Sequence, residues 1–521
     1  MLGATAVEDF PETGDPATAP APGTARGWAT RRLDPGDLSS YLARDDVTAV
    51  WLRRQDGLIG LGTAWRLSFD SPAAADRWWA ALIAEHGAAA RPEAALPLEA
   101  ASPPGPAPDS EAIPPAGPAS LPEAAAGPSG LKACGGPAAF VSFPCDPGHT
   151  TARCEVVVPR IVVGRIGPVS WLTRWGEPRP GDPDAADSLD AHHSAEGCRI
   201  PHTAEESDSP RLAKSPAKPD VGENSDVGED PDVGENPRPP AAKRTADPVA
   251  YLPGALSPAQ WTAAVESALG RIQAGRLDKV VLARDSVAET AAGAPPLTAP
   301  RLAARLLRLY PEAWTFAVAG LVGATPELLV RQDRGLVTSR VLAGTIRRHG
   351  GSDAADLAEA LATSGKDLAE HEYAVTSVAE ALAPYCSAMN VPETPFVLRL
   401  PNVMHLASDI TGVCRSQASV LELADAVHPS AAICGTPTEA ARALIRELEG
   451  LDRGRYAGPV GWIGADGDGE IGLALRCGQL SEDGRRIVLY AGCGIVADSD
   501  PAAELAETEA KLLPMRQALE G

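Results

Sequence analysis

Two tracts decide how much of this chain can fold. From Arg91 to Gly130, and again from Gly176 to Pro248, the sequence is dominated by small, polar, acidic and proline residues with little aliphatic periodicity. Such a composition buries too little apolar surface to offset the entropy of ordering, so both tracts read as disordered insertions. Residues 1–25 read as a disordered N-terminus for the same reason. A core must then be built from 26–175, interrupted at 91–130, together with 249–521. The second tract repeats Asp-Val-Gly-Glu from Asp220, Asp226 and Asp232. The EF-hand ligand pattern and its closing glutamate are missing, so the repeat reads as a solvated insertion rather than a calcium loop.

The 521 residues are ample for a sizeable core. A net charge of -23 and a pI near 4.8 leave no basic footprint for nucleic acid or an anionic membrane. No run of about twenty apolar residues exists to span a bilayer, and the stretch from Met1 to Thr24 lacks the basic region and apolar core of a secretory signal. A cytoplasmic protein is expected, monomeric or weakly dimeric. Nine cysteines without regular spacing argue against a disulfide framework, and Cys434, Cys477 and Cys493 read as small buried residues.

Strand-like runs at Val47–Leu52, Gly60–Phe69, Ala138–Phe143 and Glu155–Arg165 flank a helical segment at Ser71–His86. Beyond the second tract, Ser257 and Pro258 open an amphipathic helix to Ala274. Strands follow at Lys279–Arg284, Trp314–Val318, Leu328–Val330, Val460–Ile463, Ile471–Arg476 and Ile487–Ala491, with a helix at Leu302–Leu309. Leu368, His371, Val375, Val378 and Leu382 place one long helix over Leu357–Pro384. The pattern is α+β.

Near the C-terminus Asp500 and Pro501 form a helix start, after which Glu504, Glu507 and Lys511 share one face. Alone, that face is a solvated one with an ion pair from Glu507 to Lys511. Preceded by the glycine-rich Tyr490–Val496, it also suits a site holding a metal and an anion together. Lys279 at a strand end and Glu327 after a turn are each unremarkable alone. Glu370 lies at the edge of a buried helix face, where an unpaired carboxylate is costly. His371 beside it reads as a core histidine with a satisfied hydrogen bond.

Taken in order, Lys279–Arg284, Gly323–Leu328, Ala343–Thr345, Lys366–His371, His428–Pro437, Arg455–Gly461 and the Ser499–Lys511 stretch resemble the chorismate-utilising enzymes, and most closely the isochorismate synthases. The resemblance covers Tyr251–Leu513 strongly, Val47–Phe69 and Ala138–Val163 only faintly, and neither insertion. It implies one large chorismate-binding domain of two stacked antiparallel sheets wrapped by helices. It also implies an isomerase that exchanges the ring 4-hydroxyl of chorismate for a 2-hydroxyl, feeding menaquinone or a catechol siderophore. By motif position Glu370 and Glu507 would ligate Mg²⁺, with Glu504 in support, while Arg476 and Tyr456 would grip the enolpyruvyl carboxylate. Gly344, Thr345, His405, Gly492, Gly494 and Lys511 would line the pocket. Lys279 would be the base that activates water and Glu327 the acid that protonates the departing hydroxyl, roles that ask for a lowered lysine and a raised glutamate pKa.

Leu368 stands where the family often has arginine, and Ser430-Ala431 where it has Thr-Pro. Ala432 resembles the small residue of isochorismate synthases rather than the threonine of salicylate-forming relatives. Salicylate-forming or aminating chemistry, and a catalytically inactive binding protein, remain alternatives at this point.

Overall fold

The structure is a computed structural model. It describes residues 28–33, 36–87, 136–176, 178–179, 181–183, 249–347, 353–401, 403–415 and 417–521. The N-terminus at 1–25 and the insertion at 91–130 lie outside the described residues, as does nearly all of 176–248. Residues 178–244 separate as a second unit from 1–177 with 245–521, and the fold below is that of the larger unit.

Before the second tract lie β1 (Trp28–Arg32), β2 (Val47–Arg53), β3 (Asp56–Phe69), α1 (Pro72–Gly87), β4 (Ala138–Ser142), β5 (Cys154–Ile166) and β6 (Val169–Trp175). After it come β7 (Val249–Pro253), α2 (Pro258–Gln273), β8 (Lys279–Thr290), α3 (Ala299–Leu309), β9 (Trp314–Val318), β10 (Leu321–Thr325), β11 (Leu328–Asp333) and β12 (Leu336–Arg347). Then follow α4 (Ala354–Ala362), α5 (Gly365–Leu382), β13 (Cys386–Asn390), β14 (Phe396–Arg399), β15 (Val403–Cys414), α6 (Val420–Val427), β16 (Gly435–Thr436) and α7 (Thr438–Leu448). The chain closes with β17 (Pro459–Gly464), β18 (Gly469–Leu473), β19 (Cys477–Leu480), β20 (Arg486–Ile495) and α8 (Pro501–Glu520).

All pairings are antiparallel. From one edge they run β7-β8-β20-β19-β10-β9-β2-β3-β5-β4-β17-β18-β11-β12-β15. The succession doubles back: Trp51 of β2 donates its indole N–H to Glu470 of β18 at 2.8 Å, and Phe316 of β9 shares a core with Phe140 of β4 and Val330 of β11. The two expected layers are therefore stacked and joined through β5 into twenty continuous strands. The segments at β2–β3 and β4–β5, where the sequence resemblance is faint, are integral to both layers.

Helices cover the outer faces. Trp261 and Val265 of α2 pack on Val280 and Leu282, and Leu306 of α3 meets Met515 and Leu519 of α8 over Leu489. Each such side chain contributes about 1.5–3 kcal/mol by burial. The C-terminal half of α8 is thus anchored in a core while its first turns reach the site. Asp500 caps it, accepting from Ala503 N–H at 2.8 Å.

Two expectations fail locally. The segment Leu357–Pro384 holds two helices, because α4 ends at its C-cap Thr363 and Ser364 caps the next, accepting from Asp367 N–H. Arg476 is not strand: β18 ends at Leu473, and Arg476 sits in a bend at φ +48°.

Candidate active site at the β8–β20 and α5–α8 junction

Gly492 and Gly494 lie within β20, paired with Ala283 and Val281 of β8, rather than in a turn. Their missing side chains make room. A Cβ on Gly494 would stand 2.2 Å from Glu370 Oε1 and 2.9 Å from Lys279 Cε, and one on Gly492 would stand 3.1 Å from the Tyr456 hydroxyl. Gly344 is the bulged residue of β12, between the Ala343–Leu406 and Thr345–His405 pairs. It needs its φ of +77° and has no room for a Cβ against Asp367.

A cleft opens over these glycines. Glu327, Gly344, Thr345, Glu370, His405, Ala432, Tyr456, Arg476, Gly492, Gly494 and Lys511 all line it. Lys279 lies behind Gly494, and Glu504 and Glu507 lie outside the lining. Sequence reasoning did not pick Tyr490, whose ring stacks on Tyr456 with centroids 5.1 Å apart, or Arg453, both of which also line the cleft.

One wall is a neutral relay. Arg476 can only donate, so its Nη2–H is accepted by His405 Nε2 at 2.9 Å. The imidazole proton is then on Nδ1 and is shared with Thr345 Oγ1 at 3.0 Å. Burial, with Arg476 and Lys511 close by, holds the His405 pKa well below its ordinary value, so the ring stays neutral and able to accept. Burial also lowers the Arg476 pKa. A guanidinium held by a neutral ring keeps its charge for a ligand.

The opposite wall pairs each acid with a lysine. Lys279 Nζ, fully buried, stands 3.2 Å from Glu370 and has no hydrogen-bond partner of good geometry among the described residues. Lys366 meets Glu504 at 2.6 Å, and Lys511 meets Glu507 at 2.6 Å while donating to Gly492 O. Burial would raise the Glu370 pKa, but Lys279 and Lys511 bring it below its ordinary value. Glu504 is pushed up by burial and by the charge of Glu507. Burial works against the charge of Lys511, yet Glu507 lifts its pKa above the ordinary one. Among the described residues no three His, Cys, Asp or Glu side chains form a cluster that could hold an ion as they stand. The donor chemistry nonetheless suits a hard divalent cation, since Glu504 is close enough to Glu507 to feel its charge and a cation would relieve that repulsion.

Glu327 sits between β10 and β11, 5% exposed. Burial pushes its pKa up to about 7, against the pull of the Leu342 N–H, Lys279, Lys511 and Arg476. His371 is a core residue as expected. Its Nδ1 donates to Ala343 O at 3.3 Å, its Nε2 accepts from Ser408 at 2.9 Å, and burial lowers its pKa to about 4. Cys434, Cys477 and Cys493 are buried and free.

A family model described as chorismate binding enzyme matches residues 234–520, over half of the chain. The salicylate biosynthesis isochorismate synthase of Pseudomonas aeruginosa is 40% identical over 293 residues, 54% of this chain and 60% of that protein. Isochorismate synthase MenF of Bacillus subtilis is 38% identical over 266 residues, 50% and 55% of the two chains. The chain thus spans less than two thirds of the length of these two relatives. Isochorismate synthase DhbC of Bacillus subtilis is 39% identical over 276 residues and covered to 68%. The solved structure of the menaquinone-specific isochorismate synthase MenF of Escherichia coli shares the fold, with a TM-score of 0.62 over 95% of each chain at 23% identity.

Proposed function

The chain belongs to the chorismate-binding enzyme family, and from that premise we propose that it is an isochorismate synthase, adding water at ring C2 of chorismate while the C4 hydroxyl departs. The observation that carries this reading is Glu327, a carboxyl buried in the cleft with its pKa raised to about 7. Near neutral pH it is available both as acid and as conjugate base, which is what protonating a leaving hydroxyl demands.

Lys279 takes a proton from water as the water oxygen bonds to C2. The two conjugated ring double bonds move together, C1=C2 to C1=C6 and C5=C6 to C4=C5, the C4–O bond breaks, and the departing hydroxyl leaves as water with the proton of Glu327. One water enters and one leaves, so the net change is an isomerisation. Nζ of Lys279 faces Glu370 and has no hydrogen-bond partner of good geometry among the described residues; to act as the base it must be the neutral amine, whose lone pair can accept from that water. The relay wall would hold a substrate carboxylate on Arg476, with the Tyr456 hydroxyl beside it.

The cation expected at Glu370, Glu504 and Glu507 fits by donor type: three carboxylates in the first turns of α5 and α8, balanced here by three lysines. Mg²⁺ bound there would neutralise the ring carboxylate of chorismate. Lys366 and Lys511 would then release Glu504 and Glu507. Ala432 on the cleft wall favours isochorismate over salicylate as the product.

Incubating the protein with chorismate and Mg²⁺, with a chelated parallel, and separating the products tests the reading. Isochorismate with Mg²⁺ and none with chelator is expected. Salicylate and pyruvate without isochorismate, or no turnover, would refute it. No helix among the described residues is long and apolar enough to cross a membrane.

A further inference from the structure

The edge of β8 that faces away from β20 is incompletely paired. Around Lys279 and Val280 it is covered by β16, and Val281 N–H donates to Cys434 O at 2.8 Å. From Ser286 to Thr290 it is covered by β7. Between them the backbone groups that Val281 and Ala283 turn to this edge meet no strand among the described residues, and buried groups left unpaired are costly.

Side chains fill the gap. Glu449, which is 2% exposed, accepts Ala283 N–H at 2.7 Å, and Trp261 donates its indole N–H to Ala283 O at 3.0 Å. Arg453 donates to Val281 O at 2.8 Å. The remaining N–H groups of Arg453 are used as well. Nε and Nη2 hold the two oxygens of Glu449 at 2.9 and 2.5 Å, and Nη1 reaches Ile433 O at 3.0 Å and Cys145 Sγ at 3.8 Å. Five donors thus meet five acceptors on one buried guanidinium.

This arrangement fixes two cleft walls against each other. Val281, two residues from Lys279 on the same strand face, lines the cleft, as do Ala432 and Ile433. Arg453 is the brace between their backbones, with its charge answered by Glu449. We propose that the Glu449–Arg453 pair is a positioning pair for the reaction, standing in for a missing strand so that Lys279 is held at a set distance from the Ala432–Ile433 wall. The inference rests on Lys279 being the base. The substrate grip at Arg476, His405 and Thr345 lies on other elements, so the pair governs turnover more than binding.

Arg453→Lys keeps a cation beside Glu449 but cannot hold Val281 O and Ile433 O together. Steady-state kinetics with chorismate, normalised to the folded fraction from thermal unfolding, should show kcat down about tenfold or more with KM within about threefold. A merely structural role would lower the melting temperature and the folded fraction while kcat per folded molecule stayed within about twofold, and that result overturns the proposal. A rise in KM with kcat unchanged also overturns it. Should Arg453→Lys fail to fold, Glu449→Gln decides: the amide oxygen still accepts Ala283 N–H but one acceptor for Arg453 is lost. A several-fold drop in kcat per folded molecule at near-constant KM supports the brace, and wild-type kcat contradicts it. Wild-type turnover of chorismate to isochorismate, measured alongside, separates failure of this inference from failure of the proposed reaction.

Discussion

The two walls of the cleft solve charge in opposite ways. On the α5–α8 side Glu370, Glu504 and Glu507 are each matched by a lysine within 3.2 Å, so their charge is balanced locally, and the proposed cation would take the place of the lysines. On the β12–β15 side Arg476 has no carboxylate partner among the described residues and is steadied by a neutral histidine, itself tied to Thr345. Even its backbone is committed, at φ +48°, a conformation non-glycine residues adopt at a cost. The first wall is built to change partners and the second to wait for one. The dianionic substrate proposed above, in a protein of charge -23, would need both: the proposed cation on one side and the Arg476 guanidinium on the other.

Breaking the first wall at Lys279 should have the largest effect. Lys279→Ala removes the proposed base and is expected to lower kcat roughly a thousandfold, with chorismate binding by calorimetry largely retained; wild-type turnover would remove Lys279 from the mechanism. Breaking the second wall should show in binding instead. Arg476→Lys replaces a fork by a point charge, and kcat/KM should fall about 10- to 100-fold, mostly through KM. A fall confined to kcat would erase the distinction between the walls.

The smallest effect is a matter of pH. Glu327 has its pKa raised to about 7 by burial and must be protonated to act as acid. The pH profile of kcat should therefore descend as pH rises through about 7, and a profile flat across that range would remove Glu327 from the acid role. Because the folded pKa lies above the unfolded one, protonation of Glu327 favours the folded state most at low pH. That contribution is lost as pH rises toward and through 7.

Much of this was legible in the chain. Asp500–Pro501 and Ser257–Pro258 start the helices they announce, Trp314–Val318 is a strand as read, and the spacing of Glu504, Glu507 and Lys511 does put the last two in contact. Less legible were features set by distant partners. Thr363 ends one helix and Ser364 caps another, a local competition that hydrophobic periodicity averages away. The glycines of Tyr490–Val496 mark a close approach at a strand end, as the structure has them, but only the positions of Glu370, Lys279 and Tyr456 say what approaches. Arg453 and Glu449 gave no signal, since a buried ion pair at i, i+4 looks in sequence like a surface one. Lys366 was seen only as part of a motif, because its partner Glu504 is 138 residues away.

The exchange of hydroxyls by an external water is the centre of the account, and oxygen isotope incorporation tests it most directly. In H₂¹⁸O with chorismate and Mg²⁺, the isochorismate formed should carry one heavy oxygen, at the C2 hydroxyl, by mass spectrometry. Isochorismate formed without heavy oxygen would mean that the hydroxyl migrates within the substrate, leaving Lys279 no water to activate.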